Sequence, residues 1–290
     1  MGMRRFAIIG CPIRHSLSPV MHTAAFQALG LAAAYTALEV TPAQLRRVLA
    51  GLEALGMDGL NVTVPHKERA LRCVAASGQL DDTARQVGAV NTLIWEHGRW
   101  VGRNTDVEGI ERTLRDELRC EARGTRVLVV GAGGAARAVV WALARRQPAC
   151  LTITNRTPSK AHALRRWLRR IAPAVRVEVL PYERRRLSAR LPETDLLVNA
   201  TSLGLHAGDP LPVDAAALHK RLAVFDLVYP EPSRRTTPLV AAARRRGALA
   251  VDGVPMLVYQ GAASFGLWWE RPAPVAVMRR AVEGALRQRR

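Results

Sequence analysis

The chain has 290 residues, 49% hydrophobic and 23% charged, enough to bury the cores of two ordinary domains. The formal net charge is +19, but its arginine clusters (Arg145/Arg146, Arg165/Arg166, Arg169/Arg170, Arg184 to Arg186, Arg244 to Arg246) are scattered over helical segments, and aromatics are only 5%. That argues against a nucleic-acid surface and leaves a positive field suited to an anionic small molecule.

From the N-terminus, RFAIIG, SPVMHTAAFQALG, AAYTALEV, TPAQLRRVLAGLEALG, DGLNVTV and PHKERALRCVAAS alternate strand and helix patterns, a βαβαβα unit. AVNTLIW and RWVGRNT, separated by Glu96-His97-Gly98, predict a hairpin. VEGIERTLRDEL, with Ile110, Leu114 and Leu118 on one face, reads as a connecting helix. A second alternation runs from TRVLVVGAGGAARAVVWALARR through LTITN, VRVEVL, DLLVNAT, LAVFDLVY and GALAVDG: six strands of a doubly wound parallel sheet. GVPMLVYQGAASFGLWWE follows, a helix too apolar for a surface position and expected to pack back across both domains, and the terminal RQRR is expected to fray. The expected fold is therefore α/β: an N-terminal βαβ substrate domain (1–106, completed by helices in 253–290) and a Rossmann-type domain (107–252), with the active-site cleft between them. No segment has the length of a membrane span and MGMRRFAIIG lacks a secretory cleavage pattern, so a cytoplasmic location is expected.

Three residue types narrow the chemistry. The four cysteines (Cys11, Cys73, Cys120, Cys150) form no CxxC pair and read as reduced and structural. His15, His22 and His66 have no metal-site spacing, so core or capping roles are expected and no metal is implied. Of 43 basic residues only Lys67, Lys160 and Lys220 are lysines, and lysine, unlike arginine, can give up its proton.

GAGGAA, spanning Gly131, Ala132, Gly133, Gly134, Ala135 and Ala136, satisfies GxGxxG/A directly after a strand and at the start of a helix, the dinucleotide context. Gly131 would allow the tight turn and Gly133 the approach of a pyrophosphate to the helix N-terminus. The second strand ends in Asn155-Arg156-Thr157, with Lys160 one turn on and no carboxylate to hold a ribose hydroxyl, which favours the 2′-phosphate of NADP. The plain alternative is a helix-capping Asn/Thr pair beside surface bases.

In GCPIRHSLSPVMH, Ser18 before Pro19 reads as an N-cap, whereas Ser16 has no such explanation. NVTVPHK is expected to end its strand at Pro65, placing Asn61, Thr63 and Lys67 at the strand end and first helical turn. Positive charge there opposes the helix dipole, which points to chemistry rather than surface solvation. Asn91 and Asp106, from VNT and RNTD, complete an ammonium and carboxylate set suited to proton transfer coupled to hydride transfer.

These pieces, with GAVNT, GRNTD, NATSLG, FDLVYPEPSRRTTPL and GVPMLVYQGAASFGLW, resemble the shikimate dehydrogenase family over nearly the whole chain. The resemblance implies NADP-dependent reversible reduction of 3-dehydroshikimate to shikimate in aromatic amino-acid and chorismate biosynthesis. It implies Lys67 and Asp106 as the catalytic pair and a substrate site of Ser16, Ser18, Thr63, Asn91, Tyr229 and Gln260. For the cofactor it implies the Gly131 loop, Asn155, Arg156, Thr157, Lys160, the loop of Asn199, Ala200 and Thr201, then Leu227 and Gly253. Thr23, Val107 and Leu205 stand where many members carry Asn, Gly and Met. The alternatives are a quinate dehydrogenase, often NAD-linked, and a non-catalytic ligand sensor on the same scaffold. A small-molecule substrate is the expected partner, with no nucleic acid, no membrane and a homodimer as an admissible assembly.

Overall fold

A computed structural model describes residues 2–206, 208–230 and 235–288. It contains two compact units, one ending at Gly109 and resumed by Leu257–Ala285, the other beginning at Ile110 and running through Met256.

In the first unit β1 (Arg4–Gly10), α1 (Ser18–Ala28), β2 (Ala33–Glu39), α2 (Leu45–Ala54), β3 (Gly59–Val62), α3 (Lys67–Ser77), β4 (Gln79–Leu80), α4 (Asp82–Val87), β5 (Thr92–Glu96) and β6 (Arg99–Arg103) form a six-stranded mixed sheet in the order β2-β1-β3-β5-β6-β4. β5 and β6 pair antiparallel with Glu96 opposite Arg99, and the two residues between them, His97 (φ 51°) and Gly98 (φ 75°), take the left-handed conformation that a two-residue hairpin turn requires. Alternation along β1 divides the core. Ala7 and Ile9 pack with Leu60 and Val62 against Leu45, Leu49, Ala70 and Val74 of α2 and α3, while Phe6 meets Phe26 of α1.

The chain then forms α5 (Asp106–Arg112), which continues as a π-helical turn at Thr113–Glu117, with Ile110, Leu114 and Leu118 all buried. The second unit contains β7 (Arg126–Val130), α6 (Gly134–Ala144), β8 (Cys150–Thr154), α7 (Pro158–Ile171), β9 (Val177–Val179), α8 (Arg184–Arg190), β10 (Leu196–Asn199), β11 (Ala223–Asp226), α9 (Pro238–Arg245) and β12 (Leu249–Val251). Its strands pair parallel throughout, in the order β12-β11-β10-β7-β8-β9. The order reverses between β7 and β10, the switch point where such sheets hold ligands beyond the strand ends. Several arginines of the scattered clusters serve this unit's frame: Arg244 donates to the Ala250 carbonyl, and Arg246 to those of Leu218 and Ala216.

Finally α10 (Val254–Trp269) and α11 (Val275–Gln288) follow. From Leu257 onward α10 covers the Phe6 face of the first sheet: the Trp268 ring lies 4.8 Å from that of Phe6, and its Nε1 donates to the Leu93 carbonyl at 3.1 Å. Gly59 is required beneath it, because a Cβ there would come within 2.4 Å of Trp268 Nε1. α11 keeps Arg287 and Gln288 helical, and the rest of the expected frayed end lies outside the described residues. No helix among the described residues is long and apolar enough to cross a membrane.

Candidate active site

Lys67 is the first residue of α3 and Asp106 the first of α5. β3, which ends at Val62 rather than at Pro65, delivers one, and β6 delivers the other. Lys67 Nζ donates to Asp106 Oδ2 at 2.6 Å, and Asn91 Nδ2 donates to Asp106 Oδ1 at 2.9 Å. The Asn91 amide has one permitted orientation, because its Oδ1 accepts the backbone N–H of Thr105 at 2.7 Å, a group that can only donate. Its Nδ2 therefore faces Asp106, and both carboxylate oxygens are acceptors. Asp106 is buried while Lys67 is half-buried, and an ammonium has three N–H groups, so Lys67 keeps donors beyond the one on Asp106.

Gln260 of α10 joins the same group, its Oε1 3.3 Å from Asn91 Nδ2. Ser16 and Ser18 exchange the roles expected of them. Helix α1 begins at Ser18 itself, the preceding Leu17 occupies the cap position, and Ser16 Oγ accepts the Ser18 N–H at 3.3 Å. Ser18 is thus not the N-cap: it is the first residue of the helix and is buried. Tyr35 donates to Asn61 Oδ1 at 2.7 Å, and burial raises its phenol well above the ordinary value. Thr63 sits above Gly10, where a Cβ would meet its Cγ2 at 2.5 Å.

In the second unit the glycine-rich turn leaves β7 at the switch point. Gly131 has φ 121°, and a Cβ there would lie 2.7 Å from the Ala200 carbonyl oxygen, so only glycine fits. Gly133 caps α6 without a side chain, and a Cβ on Gly133 or Gly134 would meet nothing within 4 Å. Open space before the unpaired N–H groups of a helix N-terminus suits a pyrophosphate.

Beyond β8, Asn155 Nδ2 donates to the Thr157 carbonyl, and Thr157 occupies the cap position of α7 without a side-chain capping bond. The helix-capping alternative thus leaves the Thr157 hydroxyl unexplained. Arg156 and Lys160 are exposed and form no ion pair among the described residues. Two cationic side chains with no acid beside them match a phosphate monoester better than a ribose diol.

Asn199 shapes the loop that follows β10. Its Nδ2 donates to the Leu203 carbonyl and to Asp226 Oδ1, and its Oδ1 accepts from the backbone and hydroxyl of Thr201, so it shapes the loop through Ala200. Leu227 and Gly253 form a close backbone crossing, since a Cβ on Gly253 would fall 2.2 Å from the Leu227 carbonyl oxygen. Tyr229 lies three residues past the end of β11 in this same unit.

Reasoning from the sequence missed Thr92, Thr105 and Ser264, buried around Asn91, and Asp226, whose carboxyl burial pushes up to about 6 against bonds from Thr237, Asn199 and Val228. Among the described residues, no three His, Cys, Asp or Glu side chains could hold a metal ion. His66 bonds the Val40 carbonyl, and His22 is buried in the core.

A parallel doubly wound sheet with a glycine-rich turn at its switch point, in a chain that also carries a paired lysine and aspartate, defines a dinucleotide-binding α/β protein of the oxidoreductase class. Family models match as the shikimate dehydrogenase substrate binding domain over residues 8–93, shikimate / quinate 5-dehydrogenase over 114–242 and the shikimate 5′-dehydrogenase C-terminal domain over 253–283. The chain is 47% identical to a shikimate dehydrogenase (NADP(+)) of Rubrobacter xylanophilus, covering 96% of this chain and 94% of that one, and 43% identical to one of Methanothrix thermoacetophila, covering 98% of each. It is similar in structure to shikimate 5-dehydrogenase from Thermus thermophilus in complex with NADP(H) and shikimate, with TM-score 0.84, 35% identity and coverage of 98% and 100%. The chain belongs to the shikimate dehydrogenase family.

Proposed function

We propose that the protein is an NADP-dependent shikimate dehydrogenase, an oxidoreductase that reversibly reduces the ring ketone of 3-dehydroshikimate to the alcohol of shikimate. The observation that carries this reading is the Lys67–Asp106–Asn91 group, in which a carboxylate accepting on both oxygens orients an ammonium that still has protons to offer. Bound NADPH supplies the hydride. Lys67 stabilises and protonates the oxygen on which charge develops, a positioned acid worth on the order of 10²–10⁴-fold in rate. Asp106 holds the lysine in place, Ser16 and Ser18 receive the substrate carboxylate, and Asn91 and Gln260 receive ring hydroxyls. Arg156, Thr157 and Lys160 hold the 2′-phosphate, and the Gly131–Gly134 turn receives the pyrophosphate. A cytoplasmic location accords with four cysteines that are all free, as a reducing compartment keeps them.

Initial rates with shikimate and quinate, each against NADP and NAD, test the proposal. The highest kcat/KM is expected for shikimate with NADP. A preference for quinate would select the other carbocycle, and no turnover of either would remove the assignment.

A further inference from the structure

Beside Asn91 lies a cluster of hydroxyls, those of Thr92, Thr105 and Ser264. Thr92 and Ser264 are fully buried, and Asn61 and Thr105 nearly so. Thr92 Oγ1 stands 2.8 Å from Ser264 Oγ and 3.2 Å from Thr105 Oγ1, and Ser264 Oγ stands 3.2 Å from Thr105 Oγ1. Asn61 Oδ1 accepts from Tyr35, so Nδ2 is the donor side, its two hydrogens shared among the Asn91 carbonyl at 3.3 Å, Ser264 Oγ at 3.0 Å and Thr92 Oγ1 at 3.2 Å. Ser264 Oγ is 3.1 Å from the Gln260 carbonyl, one turn back along α10, and 2.8 Å from Thr92 Oγ1, the shortest contact of the cluster. With Ser264 donating across that contact, Thr92 directs its own hydrogen to Asn91 Oδ1 at 3.1 Å. With the Thr105 N–H, this places a second buried donor on the oxygen side of the Asn91 amide and turns the NH2 side toward Asp106 Oδ1, Thr105 Oγ1 and Gln260 Oε1.

We infer that Thr92 and Ser264 are positioning residues for the reaction, acting through Asn91 to keep Asp106 an acceptor on both oxygens and so to hold the Lys67 ammonium in its productive place. The inference rests on the function proposed above. Burial magnifies the arrangement, because a misoriented amide in a dry site has no water to repair its lost bonds. Thr92 is one position from Asn91, but Ser264 is 172 positions from Thr92, so the cluster ties α10, with its Gln260, to Asn91 at the head of β5.

The test is a double-mutant cycle on the full chain. Thr92→Val keeps the shape and removes the hydroxyl, and is expected to lower kcat at least tenfold while the KM for NADP stays within twofold. Thr92→Ser, which restores the hydroxyl, is expected to stay within about threefold of wild type. In an Asn91→Ala background Thr92→Val should cost little further, because the residue it acts through is already gone. Wild-type kcat with Thr92→Val, or the same loss with and without Asn91, overturns the inference. Should Thr92→Val fail to fold, Ser264→Ala is put through the same cycle with the same criteria. Wild-type turnover is measured first: if neither shikimate nor quinate reacts, the function and the inference fall together, whereas turnover with an unaffected variant removes the inference alone.

Discussion

The imidazole of His22 lies flat against the phenol ring of Tyr35, with centroids 4.5 Å apart and planes 6° from parallel. Neither ring nitrogen of His22 has a hydrogen-bond partner among the described residues, and burial lowers the group to about 3 from its ordinary 6.5. The folded chain therefore keeps this histidine neutral where the unfolded chain protonates it. Its contribution to stability is complete above pH 6.5 and is lost as pH falls from there toward 3, by about 2 kcal/mol between pH 7 and pH 5. His22→Phe, which can keep the stacking, should flatten that part of the pH dependence in urea unfolding. An unchanged slope would mean that the imidazole is not held neutral in the fold.

Asp226 has the opposite sign. Its carboxyl is raised to about 6 from 3.8, mainly by burial, so the native state holds the proton more tightly and stability declines as pH rises from about 4 through 6. Between pH 5 and pH 7 this term is about 1 kcal/mol, running against that of His22. Asp226→Asn should remove it, steepening the net fall of stability on acidification. The same substitution turns the oxygen that accepts from Thr237 into an NH2 and so disturbs the side chain to which Asn199 also donates, so the KM for NADP should rise as the Thr201 loop loosens. Steady-state kinetics at pH 7 would read that rise.

Lys67→Arg keeps a cation beside Asp106 but replaces a donor that can part with its proton by one that cannot. A fall in kcat of about 10²–10⁴-fold is expected with little change in substrate KM. Retention of kcat within a few-fold would remove Lys67 from the chemistry.

Arg156 and Lys160 are exposed beside the cap of α7. Losing one charge-assisted contact to a phosphate costs about 1.5–3 kcal/mol, so Arg156→Ala or Lys160→Ala should narrow the kcat/KM ratio of NADP over NAD by roughly 10- to 100-fold. Equal losses with both dinucleotides would show that these side chains do not read the 2′-phosphate.

Much of this molecule is legible locally. The Glu96-His97-Gly98 turn, the glycine-rich loop after a buried strand and the six-strand alternation are each written within a few residues, because they reflect backbone conformations that only certain side chains permit. Lys67 could be singled out by its clash with a helix dipole. The serine pair could not be assigned in the same way: both residues are compatible with a helix start, and the structure begins the helix at Ser18 with Ser16 Oγ accepting its N–H.

By itself the sequence determined the order of the longer strands and helices, though not the short β4 and α4, together with the glycine-rich turn, the absence of an acid after β8 and the candidate proton donor, since each follows from chemistry between near neighbours. Only the tertiary structure decided that Asn61, Thr92 and Ser264 share one dry cluster, that Asn91 presents its NH2 to Asp106, and that His22 and Asp226 are desolvated. Those facts depend on strand pairing and on helix α10 returning from more than 150 positions away, and the loss of water that gives them their energy does not exist until that packing is complete.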